Sequence, residues 1–216
     1  MTGSTRTPDR PDQPGRADRP APLIRRADPD DAGAIARVKV ATWRSAYRGL
    51  LPDALLDGLD PADDAAFRRR GLETLAPDRI AYVAELERAV IGFVTAGRER
   101  SGRHTGYRGE VYAIYVADRY QRQGVGRRLI RTAAADLVGR GLTPILIWTL
   151  HDNPRSRGWY EAQGGVVVGE KRELFLGHEL HEVGYGWPDP APLLSPSADP
   201  PKSRSFGASL GRTQRM

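Results

Sequence analysis

In Glu110-Val-Tyr-Ala-Ile-Tyr-Val116 and the following Ala117-Asp-Arg-Tyr-Gln121-Arg-Gln-Gly124-Val-Gly126, a strand passes through a glycine-bearing turn into a helix. Positions 111–116 are rich in β-branched and aromatic residues and are too few for a helix, so they predict a buried strand. From Val125 to Val138, apolar residues recur at spacings of three and four, which predicts a helix. Gly139-Arg-Gly141 is expected to end it.

The turn has the features of a phosphate-binding loop. A helix N-terminus offers unpaired backbone N–H groups and the positive end of the helix dipole, and Arg122, Arg127 and Arg128 add charge. Two glycines before a helix are more often only a tight turn, so the spacing has to decide. A dinucleotide fingerprint needs a third glycine, and a P-loop needs lysine where this chain has Arg127. Neither of these two motifs fits.

The loop resembles the Gln/Arg-x-x-Gly-x-Gly/Ala signature of the GNAT family of N-acetyltransferases, here Gln121-x-x-Gly124-x-Gly126. Asn153-Pro-Arg-Ser-Arg-Gly-Trp-Tyr160-Glu-Ala-Gln-Gly164 is similar to a second block of that family, and the resemblance covers about residues 23–187. It implies an α/β fold with a mixed, mostly antiparallel central sheet of about seven strands, a splayed parallel pair and about four helices. It also implies an enzyme that moves the acetyl group of acetyl-CoA to a primary amine of a small molecule or a protein or peptide, without a metal.

The resemblance further implies where the cofactor binds. The backbone at 114–116 would pair with the pantetheine arm, and amide groups at about 122–127 would hold the pyrophosphate. Asn153 would lie near the pantetheine, although a role as helix N-cap is at least as well supported. The implied cofactor-binding residues are Ile114, Tyr115, Val116, Gln121, Arg122, Gln123, Gly124, Val125, Gly126, Arg127 and Asn153.

Acetyl transfer needs a neutral amine, a stabilised carbonyl oxygen and a proton for the departing thiolate. Glu110 precedes Gly124 by fourteen residues, a spacing similar to that of the general base in histone-acetylating relatives. The alternative is a solvent-facing carboxylate at a strand end. Tyr160 matches the family's tyrosine that protonates the sulfur, or it is a core tyrosine. Trp43 and Tyr47 are expected on the acceptor side, although residues of this type more often serve packing.

The rest of the chain predicts one acetyltransferase domain at 22–188 between disordered tails at 1–21 and 189–216, because both tails are poor in apolar residues. A helix should run from Pro29 past Val40, with Ile35, Val38 and Thr42 on its inner face. The remaining predictions are helical pieces within 52–76 with Phe67, Leu72 and Leu75 available for an inner face, a hairpin at 79–95, a buried strand at 144–149, a helix after Asn153, and strands at 166–168 and within 180–187.

Composition limits the remaining function classes. The chain has 216 residues, no cysteine and four histidines, of which only His178-x-x-His181 has a metal-type spacing, and that pair is expected to be ordinary surface. We expect a cytoplasmic protein, since no apolar run is long enough for a membrane span and no secretory signal is evident. The net charge of +6 is spread out, so nucleic acid is not an expected partner. A homodimer is compatible with the sequence. A noncatalytic acyl-CoA-binding module and a nucleic-acid binder stay open as alternatives.

Overall fold

The structure is a computed structural model that describes residues 20–195. Its strands are β1 (Leu23–Arg26), β2 (Arg79–Leu86), β3 (Ala89–Arg98), β4 (Gly109–Val116), β5 (Ile145–Leu150), β6 (Val166–Phe175) and β7 (His178–Trp187). Its helices are α1 (Ala32–Ala46), α2 (Asp53–Asp57), α3 (Pro61–Glu73), α4 (Val125–Gly139), α5 (Pro154–Ala162) and α6 (Ala191–Leu194), with 3₁₀ turns at Pro29–Asp31 and Asp118–Tyr120. The strands form one sheet in the order β1-β2-β3-β4-β5-β7-β6. The predicted mixed sheet of seven strands is confirmed, with two short helices, α2 and α6, beyond the four longer ones.

The pair β4 and β5 is parallel and joins only at its beginning. Three residue pairs are in register, Gly109 with Ile145, Glu110 with Leu146, and Val111 with Ile147. Beyond these pairs β4 continues to Val116 and β5 to Leu150, and within the described residues the two strands form no further registered pairs with each other. The expected splayed parallel pair is therefore confirmed, and an opening lies between residues 112–116 and 148–150.

A β-bulge in β4 lies at the start of this opening. Thr95 pairs with Ala113 and Ala96 pairs with Val111, so Tyr112 is the additional residue of β4. A bulge bends its strand and increases the local twist. The hydroxyl of Tyr112 donates to the carbonyl of Arg98, 2.6 Å away, and this bond ties the bulge to the end of β3. The bulge therefore turns β4 at the point where it leaves β5.

The two faces of the sheet are covered as the apolar spacing predicts. Helix α4 packs on one face through five fully buried side chains, Leu129, Ile130, Ala133, Ala134 and Leu137. Val138, which shares their spacing, is more than a third exposed because it lies at the edge of this stripe. On the other face α1 buries Ile35, Val38 and Thr42, as predicted. It begins as a 3₁₀ turn at Pro29, where Asp28 accepts from the Asp30 N–H group.

The expectation that Phe67 faces the core is wrong, because its side chain is 70% exposed. The stripe of α3 that packs inward is instead Asp64, Arg68 and Leu72. Asp64 forms ion pairs with Lys39 of α1 and with Arg68. Along part of the interface between α1 and α3, ion pairs therefore take the place of buried apolar side chains. The hydrophobicity of the individual residues in α3 does not indicate these ion pairs. Leu75 lies beyond the end of α3 and is also largely exposed.

Two boundaries differ from the prediction at the C-terminal end. Strands β6 and β7 are longer than expected, because their outer halves are polar edge residues that lack the apolar pattern of a strand. Order also extends past residue 188, since α6 inserts Leu193 into the core beside α4 with 2% of its surface exposed. The expected tail at 189–216 therefore begins too early. Residues 1–19 and 196–216, where the rest of the two predicted tails falls, lie outside the described residues.

Candidate active site

The turn before α4 is built from left-handed residues. Arg122 has a φ of 57° and Gly124 a φ of 80°, and Gly124 is the N-cap of α4 without a side-chain capping bond. No atom lies within 4 Å of the place where a Cβ of Gly124 would be. Turns that mix left-handed and right-handed residues can direct backbone N–H groups toward an anion. The turn therefore leaves space beside the positive end of α4, as a phosphate would require.

Gln121 fixes this turn in place. Its Nε2 donates to the carbonyl of Val116 at 2.8 Å and to Asp118 at 2.9 Å, and its Oε1 accepts from Arg155 of α5. Its backbone N–H donates to the Asp118 carbonyl. Gln121, predicted to bind the cofactor, thus uses these groups to tie the turn to β4 and α5. Gln123 likewise donates from its side chain to the Arg119 carbonyl.

Gly126 allows two helices to approach each other. A Cβ at this position would lie 3.4 Å from Cζ2 of Trp159 on α5. A small residue therefore fits at position 126 against Trp159, whereas the space beside Gly124 is open.

The free edge of β4 presents main-chain groups to the opening. The Ala117 N–H donates to Ile91 of β3, whereas the Val116 carbonyl accepts from Gln121 and so points away from β3. Backbone groups alternate in direction along an antiparallel strand, so those of Ile114 also point toward β5. Of the three predicted β4 residues, Ile114 and Val116 therefore have main-chain groups at the opening. The side chain of Tyr115 lies on the face of the sheet that α1 covers, where its ring centroid is 5.6 Å from that of Phe93.

Asn153 and Tyr160 are placed by α5. Asn153 is buried and its Oδ1 accepts from the Ser156 N–H at 3.1 Å, so it is a helix N-cap. Tyr160 has 6% of its surface exposed and packs against the rings of Tyr185 and Trp187. Burial raises the pKa of Tyr160 well above its usual value, so the phenol keeps its proton at neutral pH.

Three tyrosines and one glutamate converge beside the opening. Burial, then the neighbouring Tyr115 hydroxyl and smaller influences of Tyr160 and Glu182, raise the pKa of Tyr47. Trp43 stacks edge-on against Tyr47 with centroids 5.1 Å apart. Of the two residues predicted for the acceptor side, Tyr47 thus lies within electrostatic range of Tyr160. Sequence reasoning missed Glu182, because its position beside Leu150 of β5 depends on the order of strands in the sheet.

An apolar lining surrounds this group. It is formed by the end of α1, by α2, by the end of β5 and by the β6–β7 hairpin, through Trp43, Leu51, Leu55, Leu56, Leu150, Phe175 and Leu180. The Oγ1 of Thr42 is buried without a hydrogen-bond partner in the described part of the chain. The indole N–H of Trp43 faces the hydroxyl of Tyr115.

Glu110 has surroundings that the sequence did not indicate. It is 3% exposed, so the alternative of a solvent-facing carboxylate is wrong. It accepts from the backbone N–H of Arg100 at 3.0 Å and from its guanidinium at 2.6 Å. Glu110 lines a cleft of about 550 Å³ together with Trp148 and Lys171. It precedes Ile114 by four residues, roughly 12 Å along the strand, so a water-mediated route is the one open to it as a base.

Comparison with known proteins places the chain in a family. The family model described as acetyltransferase (GNAT) family matches residues 42–165. The chain is 35% identical over 168 residues to the uncharacterized N-acetyltransferase YuaI of Bacillus subtilis (strain 168), which covers 77% of this chain and 92% of that protein. It is 32% identical over 121 residues to the N-alpha-acetyltransferase RimI of Mycobacterium tuberculosis, covering 56% of this chain and 72% of the relative.

Solved structures show the same fold. The structure is similar to that of a GCN5-related N-acetyltransferase from Rhodopseudomonas palustris, with a TM-score of 0.62 and 19% sequence identity over 80% of this chain and 98% of the other. No helix within residues 20–195 is long and apolar enough to cross a membrane. With its glycine turn, its parted strands and the matching family model, the chain belongs to the GNAT family of acetyltransferases and is an N-acetyltransferase.

Proposed function

We propose that the chain transfers the acetyl group of acetyl-CoA, the co-substrate of this family, to a primary amine of a small molecule or peptide at the opening between β4 and β5. The observation that carries the proposal is the parting of these strands after Val111 and Ile147, which leaves free the part of β4 that leads to the glycine turn. An extended arm can enter this gap, while its pyrophosphate stays at the N-terminus of α4.

Residues 122–127 are proposed to hold the pyrophosphate through backbone N–H groups. The left-handed turn at Gly124 and the open space beside it support this placement. The pantetheine arm would pair with the main-chain groups of Ile114 and Val116, with Asn153 nearby. Transfer itself would use a β4 backbone N–H near Val116 to stabilise the carbonyl oxygen.

The departing thiolate needs a proton donor, and Tyr160 is the residue proposed for this role. A thiol has a pKa near 8.5, so the departing thiolate takes up a proton at neutral pH. The match of Tyr160 to the family's proton-donating tyrosine supports it as the donor, and its phenol carries the proton at neutral pH. At the other end the amine, with a pKa near 10.4, must lose a proton. Glu110 would accept that proton through water.

The acceptor would bind on the face that carries Trp43 and Tyr47. The lining there is apolar and aromatic, and Glu182 adds a carboxylate whose influence reaches Tyr47 and Tyr115. An ammonium group on an apolar body fits such a surface, because the carboxylate attracts the charge and the rings pack the remainder. The name of the relative RimI, an N-alpha-acetyltransferase, supports including the α-amine of peptides among the acceptors to test.

The test is an amine panel with detection of released thiol. The panel contains alkyl and aryl amines, polyamines, amino acids, and peptides with a free or blocked N-terminus. We expect thiol release that requires both acetyl-CoA and one class of amine. Tight binding of acetyl-CoA without release for any amine would favour the noncatalytic module instead, and salt-sensitive nucleic-acid binding without acetyl-CoA binding would contradict the proposal.

A further inference from the structure

Three side chains of metal-binding type converge at one end of the sheet, on the residue after β5 and on β6 and β7. One ligand atom of each of His151, Glu170 and His181 lies within 4.8 Å of the other two. We propose that these three residues bind a divalent transition-metal ion, with Zn²⁺ as the representative case. The proposed acetyl transfer needs no metal, so this ion would be additional to that function.

The backbone holds the three residues in a fixed frame. The N–H of His151 donates to the carbonyl of His181 at 2.9 Å. In the β6–β7 ladder Glu170 is opposite Val183, and Arg172 is opposite His181. Glu170 and His181 are therefore diagonal neighbours on one face of the hairpin, within reach of each other. Ligands on paired strands are already positioned before an ion arrives.

The distances are close to those of a coordination sphere. The Nε2 of His181 is 2.9 Å from one oxygen of Glu170, and the Nε2 of His151 is 4.0 Å from the other. Ligands bonded to one Zn²⁺ at about 2.0–2.2 Å lie roughly 3–4 Å apart. The two imidazoles stack with centroids 4.4 Å apart and planes 6° apart, so they must tilt toward each other to share an ion. Both side chains are about one third exposed, which leaves room for that rotation.

A further carboxylate prepares His151 for binding. Its Nδ1 lies 2.8 Å from an oxygen of Asp152. A carboxylate at Nδ1 accepts the proton there and leaves the lone pair of Nε2 free for an ion, an arrangement common around zinc. Arg157 donates to the carbonyl of His151 and so holds the same residue from α5.

The donor set selects the class of ion. Two imidazoles and one carboxylate suit Zn²⁺, Co²⁺ or Ni²⁺, whereas Mg²⁺ and Ca²⁺ prefer oxygen ligands. The spacing of the histidines in the sequence does not identify this site. His178 and His181 differ by three positions and so lie on opposite faces of β7. The partner of His181 is His151, which is thirty residues away.

The experiment is calorimetry of the full chain, free of any affinity tag, with ZnCl₂ at about pH 7.5. We expect one ion per chain with a dissociation constant in the micromolar range, and a loss of at least about tenfold for His151→Gln and for His181→Gln. His178→Gln is the matched control, because it changes the same hairpin outside the cluster.

Glu170→Gln provides a second variant, and Co²⁺ absorption in the visible range provides a second measurement. Glu170→Gln is on an exposed edge, so it should fold as the parent does and lose the Co²⁺ bands. Unchanged Zn²⁺ affinity in folded His181→Gln, an equal loss in His178→Gln, or millimolar binding by the parent chain would each overturn the site. The three residues would then be a hydrogen-bonded network without an ion.

Discussion

Two carboxylates near the proposed reaction centre lie in different surroundings, and this separates their roles. Glu110 is enclosed and bonded to Arg100. Glu182 lies 3.2 Å from Lys171 and close to the tyrosines of the acceptor side. A base needs a route to the amine proton, whereas a recognition residue needs only to face the ammonium group. Substitution of each should therefore change a different kinetic constant.

Glu110→Gln is expected to lower turnover at neutral pH and to recover part of it at higher pH. The reason is that more of the amine is already neutral as the pH approaches its pKa of about 10.4. Glu182→Gln should instead raise KM for the amine. Steady-state kinetics across the pH range would measure both. A Glu110→Gln enzyme with the parent pH profile would leave the amine proton to water or to another group.

Tyr160→Phe should leave the dissociation constant of acetyl-CoA nearly unchanged, because the ring still packs against Tyr185 and Trp187. Turnover should fall by about 10²–10⁴-fold, the usual contribution of a placed proton donor. Because its pKa is raised, this group should not cause a loss of activity as the pH rises toward 10.

Tyr185→Phe is the control, since its hydroxyl donates to Glu161 within the protein. It should reduce stability more than turnover. Full turnover in Tyr160→Phe, measured with binding by calorimetry, would reassign Tyr160 to core packing.

At the scale of elements, the turn before α4 depends on its backbone conformation, and the short helix α6 is held in place by the burial of Leu193. Gly124 combines a left-handed φ with open space, whereas Gly126 lies against Trp159. A substitution at 126 would thus disturb helix packing as well as the loop. Position 124 gives the clearer test of phosphate binding.

Gly124→Asn should fold, because asparagine tolerates the left-handed region better than other residues with a Cβ. Its side chain would occupy the space proposed for the pyrophosphate, so acetyl-CoA affinity should fall at least tenfold, or about 1.4 kcal/mol. Gly141→Asn is the matched control, with φ of 65° and open space at the other end of α4. Equal affinities in calorimetry would remove the phosphate-loop assignment.

Leu193→Ala should destabilise the chain by about 2–5 kcal/mol, because it empties a buried position between α6 and α4. At roughly 2–4 °C per kcal/mol, thermal unfolding would report this clearly. Leu174→Ala, at a leucine that is 79% exposed, should change Tm little. Similar Tm values for the two variants would mean that α6 does not contribute to the core.

At the scale of the whole molecule, ion pairs join elements that are distant in the chain. The guanidinium of Arg25 on β1 binds Asp31 at 2.7 and 2.8 Å and Glu85 of β2 at 2.8 Å. Burial alone would raise the pKa of Asp31, but the bonds from Arg25 and from the Asp28 N–H lower it below its usual value. A carboxylate with a lowered folded pKa stabilises the fold above its unfolded pKa and loses that contribution as the pH falls.

Asp31→Asn should therefore be less stable than the parent at neutral pH, and the difference should shrink as the pH falls below about 4. Asp30→Asn is the control, because Asp30 is almost fully exposed. Denaturant unfolding at several pH values measures the effect. A difference that is independent of pH would assign the contribution of Asp31 to packing or capping instead of to its charge.

The sequence by itself determined the features that depend on neighbours within one or two turns. These are the glycine turn, the buried stripe of α4 and the N-cap Asn153, which rest on backbone preference or on apolar spacing. The resemblance of two sequence motifs to a family with a known fold was also visible in the sequence. The proposed cofactor set was named from that resemblance, and most of it lies on one strand and the turn that follows it.

Only the tertiary structure decided what lies beside what across the sheet. The bond from Arg100 to Glu110, the gathering of Tyr47, Tyr115, Tyr160 and Glu182, and the pairing of His151 with His181 join residues on different elements. Phe67 is exposed because Asp64 and Arg68 occupy the inner stripe of α3. Such contacts follow from strand register and from how helices cover the two faces. Both depend on the burial of the whole core, which no local pattern encodes.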